Sequence, residues 1–208
     1  MFKYIIFDFD GTIADSKKTF VSSWNQLAKQ YNFKEMKFDE LEKIKKMTIQ
    51  ERSAQLNFKM SLMPIVIPKL YKLYKESIHD VELFDGIKDL IFKLEKKGYK
   101  IGVISSNSKE NILAFLNKNE IGNITNSNVL CSNRIFSKDK QINKFLRNHN
   151  LTPSEIIYVG DEKRDIIACK KAGVKIIWVG WGYDSIEVVE SMEPDFQVYK
   201  PAEILNIV

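Results

Sequence analysis

Hydrophobic positions along the chain fall into two alternating patterns. Short apolar runs at residues 3–7 (KYIIF), 100–104 (KIGVI), 155–159 (EIIYV) and 175–179 (KIIWV) are rich in β-branched and aromatic residues. Such runs predict strands buried on both faces. Between them the apolar residues take helical spacing. In 86–97 they are Ile87, Leu90, Ile91 and Leu94, with Gly98 as a stop signal. Similar spacing predicts helices over 109–116, 139–148 and 162–172, the last closed by Gly173, and residues 196–198 read as one more short strand. Repeated strand–helix–strand order predicts an α/β protein with a Rossmann-like, mainly parallel sheet and helices on both faces.

Residues 16–81 break this rhythm. They hold helical patterns at 19–30, 39–46, 49–55 and 62–77 and no convincing strand. The expected organisation is a core made of residues 1–15 and 82–208, with 16–81 as an all-helical module inserted after the first strand.

Composition narrows the class. A chain of 208 residues, 44% hydrophobic and 28% charged, is expected to bury one ordinary core and to be neither disordered nor collagen-like. Its most apolar stretch, MSLMPIVIP at 60–68, carries two prolines and is far short of the roughly 18–20 residues of a membrane span. The chain opens on a strand-like run without the layout of a secretory signal, so a cytoplasmic protein is expected. Cys131 and Cys169 lack metal-site spacing, and no zinc site or disulfide framework is expected. The 32 basic and 27 acidic residues give 32 − 27 = +5, unevenly spread. Residues 16–81 carry 13 − 7 = +6, and the remainder 19 − 20 = −1. Basic charge confined to one helical insert, without aromatic interleaving, is thin support for nucleic-acid binding.

Chemistry concentrates where strands end. The first strand runs into Asp8-Phe9-Asp10-Gly11-Thr12, and side-chain alternation lets Asp8 and Asp10 project to one side at its carboxyl end. That end is where ligands bind in open parallel sheets. Gly11 permits a tight turn, and Thr12 offers a hydroxyl and an N–H. The plain alternative is a set of acids capping a helix. A second acidic group, Gly160-Asp161-Glu162-Lys163-Arg164-Asp165, follows the 155–159 run, with Asp161 and Asp165 near one face of a first helical turn. Four carboxylates at one pole repel unless a cation or a shared proton relieves them. With only oxygen ligands available, Mg²⁺ fits best, ahead of Mn²⁺ or Ca²⁺. Ser105-Ser106-Asn107-Ser108, between a strand and a helix, offers hydroxyls and free N–H groups to an anion, or simply an N-cap. Lys138 and Lys140 flank the start of the helix before the 155–159 strand.

In that order, FDFDGT, SSNS, the Lys before a helix and GDEKRD resemble the haloacid dehalogenase superfamily. The resemblance spans essentially the whole chain and is nearest to the phosphoglycolate-phosphatase-like branch, which has a helical cap. Phe84-Asp85-Gly86 and Trp181-Gly182-Tyr183 are similar to that branch too, although Asp85 stands where relatives often have proline. The resemblance implies Asp8 as the nucleophile of an aspartyl-phosphate, and Asp10 as acid and then base. It implies Gly11, Thr12, Ser105, Ser106 and Lys138 around the phosphoryl group. It also implies Mg²⁺ held by Asp8, the Asp10 carbonyl, Asp161 and Asp165. Ser105 is preferred to Ser106, and Lys138 to Lys140, as the side chains on the phosphoryl group, from their places at the strand end and helix start.

The function expected is Mg²⁺-dependent hydrolysis of a small phosphorylated metabolite, phosphoglycolate-like or a sugar phosphate, by a monomer or homodimer without membrane or nucleic-acid partners. Asp10 argues against a haloalkanoate dehalogenase, because phosphoester hydrolysis calls for this acid/base. The alternatives are a phosphosugar mutase on the same core and a non-catalytic anion- or nucleic-acid-binding protein. A signalling receiver domain shares some of these residues but lacks the D-x-D-G-T order and the helical insert. His79 and His149 are isolated, Trp24, Tyr71 and Tyr74 are expected to pack within the insert, and Cys169 to be a reduced core thiol. Lys45 and Lys46 are either a solvated face or part of a surface that draws in an anionic substrate.

Overall fold

The computed structural model describes residues 2–125, 128–131 and 137–208. Its first strand, β1 (Tyr4–Phe7), is buried throughout, as its unbroken apolar run requires. The chain then passes β2 (Ala14–Asp15) and four helices: α1 (Lys17–Tyr31), α2 (Leu41–Lys45), α3 (Ile49–Gln55) and α4 (Met63–Glu76). It re-enters through β3 (Glu82–Leu83), followed by α5 (Ile87–Lys96), β4 (Lys100–Ser105), α6 (Lys109–Lys118), α7 (Gly122–Thr125) and β5 (Val129–Cys131). The second half alternates α8 (Lys138–Asn148), β6 (Ile156–Gly160), α9 (Lys163–Ala172), β7 (Lys175–Val179), α10 (Ile186–Val189) and β8 (Phe196–Val198).

Six strands form one parallel sheet in the order β5-β4-β1-β6-β7-β8. The predicted Rossmann-like architecture is therefore present. Period-2 alternation divides each central strand between two cores. Ile5, Phe7, Val103 and Val159 face α5 and α6, whereas Tyr4, Ile6, Ile104 and Tyr158 face α8 and α9. Phe145 of α8 is fully buried on the second face, edge-on to Tyr4 with ring centroids 5.2 Å apart. Gly102 permits that approach, since a Cβ there would lie 2.7 Å from Ile6 and 3.2 Å from Phe145. The strand order reverses at β1: β4 lies on one side and β6 on the other. A crevice therefore opens at their carboxyl ends.

The helical segment leaves and rejoins the core through a two-stranded antiparallel ribbon, Ala14 opposite Leu83 and Asp15 opposite Glu82. Strands of two residues carry no period, which is why neither was legible in the sequence. Inside the segment, Trp24, Ala28, Leu41, Ile44 and Leu56 form a separate apolar cluster. Helix α3 is started by Thr48, whose hydroxyl accepts from the Glu51 N–H while the Glu51 carboxylate accepts from the Thr48 N–H at 2.7 Å. The run 60–68 feeds α4, with Pro64 in the first turn, where a missing N–H is harmless. Among the described residues, no helix is long and apolar enough to cross a membrane.

Replacing Phe145 with Ala removes a ring enclosed between β1, β4 and α8. The expected loss is ~3–5 kcal/mol of folding stability, measured as a lowered urea midpoint with an unchanged slope.

Candidate active site

The carboxyl end of β1 is fixed from both sides. The Asp8 N–H donates to the Val159 carbonyl at 2.8 Å, extending the sheet by one residue. Phe9, fully buried against Phe115, points into the core, so Asp8 and Asp10 turn to the opposite side. The Phe9 carbonyl then accepts from Thr12, Ile13 and Ala14 in a turn that Gly11 completes at φ +81°.

Asp8 is 2% exposed. One carboxylate oxygen, Oδ1, accepts from the Phe9 N–H at 2.7 Å, and Oδ2 lies 2.8 Å from Lys138 Nζ. Lys138, on the first turn of α8, is itself buried and also pairs with Asp165 at the start of α9. Lys140 is exposed, so the structure brings Lys138 to Asp8 and leaves Lys140 outside. Burial pushes the Asp8 carboxyl up to about 7 against the opposing pull of Lys138. Burial acts to lower the Lys138 pKa, but Asp165 and Asp8 outweigh it, so the ammonium is held above its ordinary value and stays charged.

Asp10 Oδ2 accepts from Asn107 Nδ2 at 2.9 Å, while Oδ1 is buried without a hydrogen bond among the described residues. Burial raises the Asp10 pKa, opposed first by the Asn107 bond. Asn107 is fixed in turn: its N–H donates to Ser105 Oγ at 3.1 Å and its Oδ1 accepts from Asn111 at 3.0 Å. The two candidate serines thus divide their roles. Ser105 closes the turn after β4, and Ser106 accepts from Arg164 Nη1 at 3.3 Å.

At the end of β6, the structure groups the acids differently from the spacing argument. Carboxylate oxygens of Asp8, Glu162 and Asp165 all lie within 4.8 Å of one another. Asp161 is turned aside and held. Its Oδ1 accepts from the Thr12 hydroxyl at 2.8 Å, its Oδ2 from the Tyr183 N–H at 2.7 Å, and its carbonyl from Trp178 Nε1 at 2.8 Å. A Cβ on either Gly11 or Gly182 would collide with this carboxylate. Asp161 remains near the group: burial raises its pKa well above the ordinary value, and Glu162, Asp8 and Asp165 add to the rise. The Thr12 hydroxyl and the Gly11 N–H, expected at the phosphoryl group, are engaged here with Asp161 and the Ala14 carbonyl. Capping and clustering coexist at Asp165, which pairs with Lys138 through one oxygen and accepts from the Glu162 N–H at 3.1 Å through the other.

The residues fit a hard divalent cation. The donors are all oxygens, and Asp8 Oδ2 meets only an ammonium. Asp10 Oδ1 makes no hydrogen bond among the described residues, although the Ser16 and Tyr74 hydroxyls are near the carboxyl. The carboxyls of Asp8, Asp10, Asp161 and Glu162 are all raised by burial. Sequence reasoning passed over Glu162, Arg164, Asn107 and Tyr183. The Arg164 guanidinium donates to Glu162 at 2.6 Å and to Ser106, bridging the ends of β4 and β6. The only available signal was that these residues lie inside or beside the motifs already singled out.

Above this floor lies a cavity of ≈ 260 Å³ between α1–α3 and α4, bordered by Asp10, Ser106, Asn107, Glu162 and Arg164. Trp24, Tyr71 and Tyr74 line it, so these rings face a chamber as well as packing. The helical segment is tied down beside it. Arg52 of α3 pairs with Asp184, whose other oxygen accepts from the Lys163 N–H at 2.7 Å, and Lys46 pairs with Glu187 at 2.8 Å.

Comparison with known proteins agrees with the motif order. The family model for haloacid dehalogenase-like hydrolase matches residues 5–179. A phosphoglycolate phosphatase from Synechococcus elongatus is 28% identical over 98% of this chain and 96% of its own. Pyrophosphatase PpaX from Bacillus velezensis is 24% identical over 98% and 94%. The crystal structure of a predicted phosphatase from Clostridium acetobutylicum superposes with a TM-score of 0.85 at 19% identity, covering 100% of this chain and 98% of that one. With the family model matching well over half its length, the chain belongs to the haloacid dehalogenase-like hydrolases.

Proposed function

We propose that the protein is a Mg²⁺-dependent phosphatase that hydrolyses phosphate monoesters through an aspartyl-phosphate on Asp8, in a cytoplasmic setting, with residues 16–81 acting as a cap over the core 1–15 and 82–208. One observation carries the reading. A buried carboxylate, oriented by the Phe9 N–H and by Lys138, stands two residues from a second carboxylate, Asp10, that borders the cavity. The names of the relatives, phosphoglycolate phosphatase and pyrophosphatase, support the same chemistry.

In this mechanism an Asp8 oxygen attacks phosphorus and the bond to the ester oxygen breaks. Asp10 delivers its proton to that oxygen, so an alcohol leaves and Asp10 becomes a carboxylate. A water then gives a proton to Asp10 and attacks the acyl phosphate, releasing inorganic phosphate and restoring Asp8. The raised pKa of Asp10 suits the first half, because a proton must be present to be donated. Asn107 orients that carboxyl toward the cavity. Lys138 offsets charge on Asp8 and on the phosphoryl oxygens. On this reading Ser105 and Ser106, at the β4 end, and the Gly11–Thr12 turn would meet those oxygens. Asp8, the Asp10 carbonyl, Asp161 and Asp165 would hold Mg²⁺, with Glu162 added by its place beside Asp8. When bound, the ion supplies positive charge that keeps Asp8 ionised and offsets the phosphoryl charge.

Asp8→Asn keeps the shape and removes the nucleophile. Hydrolysis of p-nitrophenyl phosphate is expected to fall by at least ~10³-fold, with an unchanged circular dichroism spectrum. Activity within a few-fold of wild type would contradict the mechanism.

The buried acids make a second, independent prediction. An Asp in the unfolded chain titrates near about 3.9, whereas folded Asp8 is pushed up to about 7. Between those values the folded state holds a proton that the unfolded state has lost. The stabilising contribution is therefore full below the lower value and disappears as pH rises through about 7. In EDTA the Tm should drop from about pH 5.5 to 7.5; Mg²⁺ should restore it more at the higher pH, and Asp8→Asn should make the drop shallower, the raised Asp10, Asp161 and Glu162 keeping part of it. Calorimetric scans with and without the ion test this.

A further inference from the structure

The cavity above Asp10 identifies the kind of alcohol the enzyme releases. In the mechanism above, the acid faces the leaving-group oxygen, so whatever space adjoins Asp10 on the side away from Asp8 receives the leaving group. Lys138 and Glu162 border a second cavity of ≈ 300 Å³, which shares Ile49, Arg52, Met60, Glu162 and Arg164 with the first. Asp10, Ser106 and Asn107 border only the first. Of these residues, Asp10 thus borders the first space and Lys138 the second.

The walls of the first space are apolar. Phe20, Leu41, Ile44, Phe58, Val66 and Leu70 are representative, drawn from α1, α2, the segment after α3, and α4. Five charged residues line it: Asp10, Lys45, Arg52, Glu162 and Arg164. Each cation among them already has partners. Lys45 lies 3.5 Å from Glu42. Arg52 pairs with Asp184 and donates to the carbonyls of Ile44 and Met47. Arg164 pairs with Glu162 and donates to Ser106. A second anionic group on the substrate would have to share these cations with the partners they already hold. Several of the uncharged polar groups are engaged likewise. Trp24 Nε1 donates to the Lys34 carbonyl, Ser53 donates to the Phe58 carbonyl, and the Ser16 and Tyr183 hydroxyls lie 2.8 Å apart. The Tyr74 hydroxyl is left without a hydrogen bond among the described residues, one polar group set among apolar walls.

Size fits a ring. An apolar cavity of about 150 Å³ takes up benzene, so ≈ 260 Å³ accommodates a substituted ring or a branched chain of similar bulk. We propose that the substrate is a phosphate monoester of an apolar, ring-sized alcohol, its hydrocarbon seated between α1–α3 and α4. This rests on the phosphatase reading and departs from the phosphoglycolate-like or sugar-phosphate substrate that the sequence suggested.

The test compares kcat/KM with Mg²⁺ for 2-phenylethyl phosphate, phosphoglycolate and glucose 6-phosphate, all of which release a primary alcohol, alongside acetyl phosphate. The expected result is at least a ~10-fold preference for 2-phenylethyl phosphate over the two polar esters. Phosphoglycolate or glucose 6-phosphate matching or exceeding it, with acetyl phosphate also hydrolysed, overturns the apolar assignment and leaves the phosphatase standing. No hydrolysis of any ester, acetyl phosphate included, overturns the phosphatase reading and this inference with it. Leu70→Lys places a charge in the chamber wall. It should lower the ratio of kcat/KM for 2-phenylethyl phosphate to that for acetyl phosphate by at least ~10-fold, a ratio insensitive to the fraction of protein folded. An unchanged ratio counts against the chamber as the leaving-group site.

Discussion

The structure turns on one buried ammonium. Lys138 Nζ sits between Asp8 at the end of β1 and Asp165 at the start of α9, with all three side chains shielded from water. A parallel sheet gathers its strand ends at one pole, and in this sequence those ends carry acids. Without a cation, Asp8, Glu162 and Asp165 would crowd like charges into a medium that screens them poorly. Lys138 relieves that repulsion and joins α8, α9 and β1 at the same point. Removing one partner from such a group strands a buried charge at a cost of several kcal/mol. The arrangement still under-neutralises the acids: Asp8 remains raised to about 7 with Lys138 in place. Room for further positive charge is what a divalent cation and a phosphoryl-transfer site both require.

Most of the core was legible because burial on both faces writes itself into sequence as an unbroken apolar run. The expected strands and helices of residues 3–7, 100–104, 109–116 and 162–172 reappear within a few residues as β1, β4, α6 and α9. The alternation placing Asp8 and Asp10 on one side holds because Phe9 takes the core side. The two-residue β2 and β3 and the three-residue β5 escaped, since elements that short are defined by their partners and have no period of their own. Side-chain partnerships across long separations also escaped. Asp161 is drawn aside by Thr12, 149 positions away, and by the Tyr183 amide, so its spacing to Asp165 did not decide which carboxylate joins Asp8. Arg164 read as one more charge in GDEKRD, and only the fold shows it reaching Ser106.

The helical segment meets the core through apolar contacts at Tyr74, Ile78 and Val81 and through a set of polar ones. Asp184 pairs with Arg52 of the helical segment and accepts from the Lys163 amide of the core, at the entrance to α9. The Ser185 N–H donates to the Lys45 carbonyl at 3.3 Å, and Lys17 donates to the Trp181 carbonyl at 2.7 Å. Charge-assisted contacts of this kind are directional and exchange readily with water. The loop after β7 supplies Asp184, Trp181 and Tyr183, so the residues that hold the segment down also fix Asp161 and Thr12.

The positive charge of the insert takes a different meaning once its residues are placed. Ten of its twelve lysines are exposed, the exceptions being Lys17 and Lys45, and its one arginine is paired with Asp184. Exposed charges at physiological ionic strength act over about 8 Å. They can raise the encounter rate of any phosphate ester with the mouth, but they cannot distinguish one ester from another inside a chamber they do not reach. On the proposed reading, selection would fall to the apolar walls and to Asp10. The sign of the insert's charge therefore tells of the phosphoryl group common to all candidate substrates and nothing of the alcohol it is attached to.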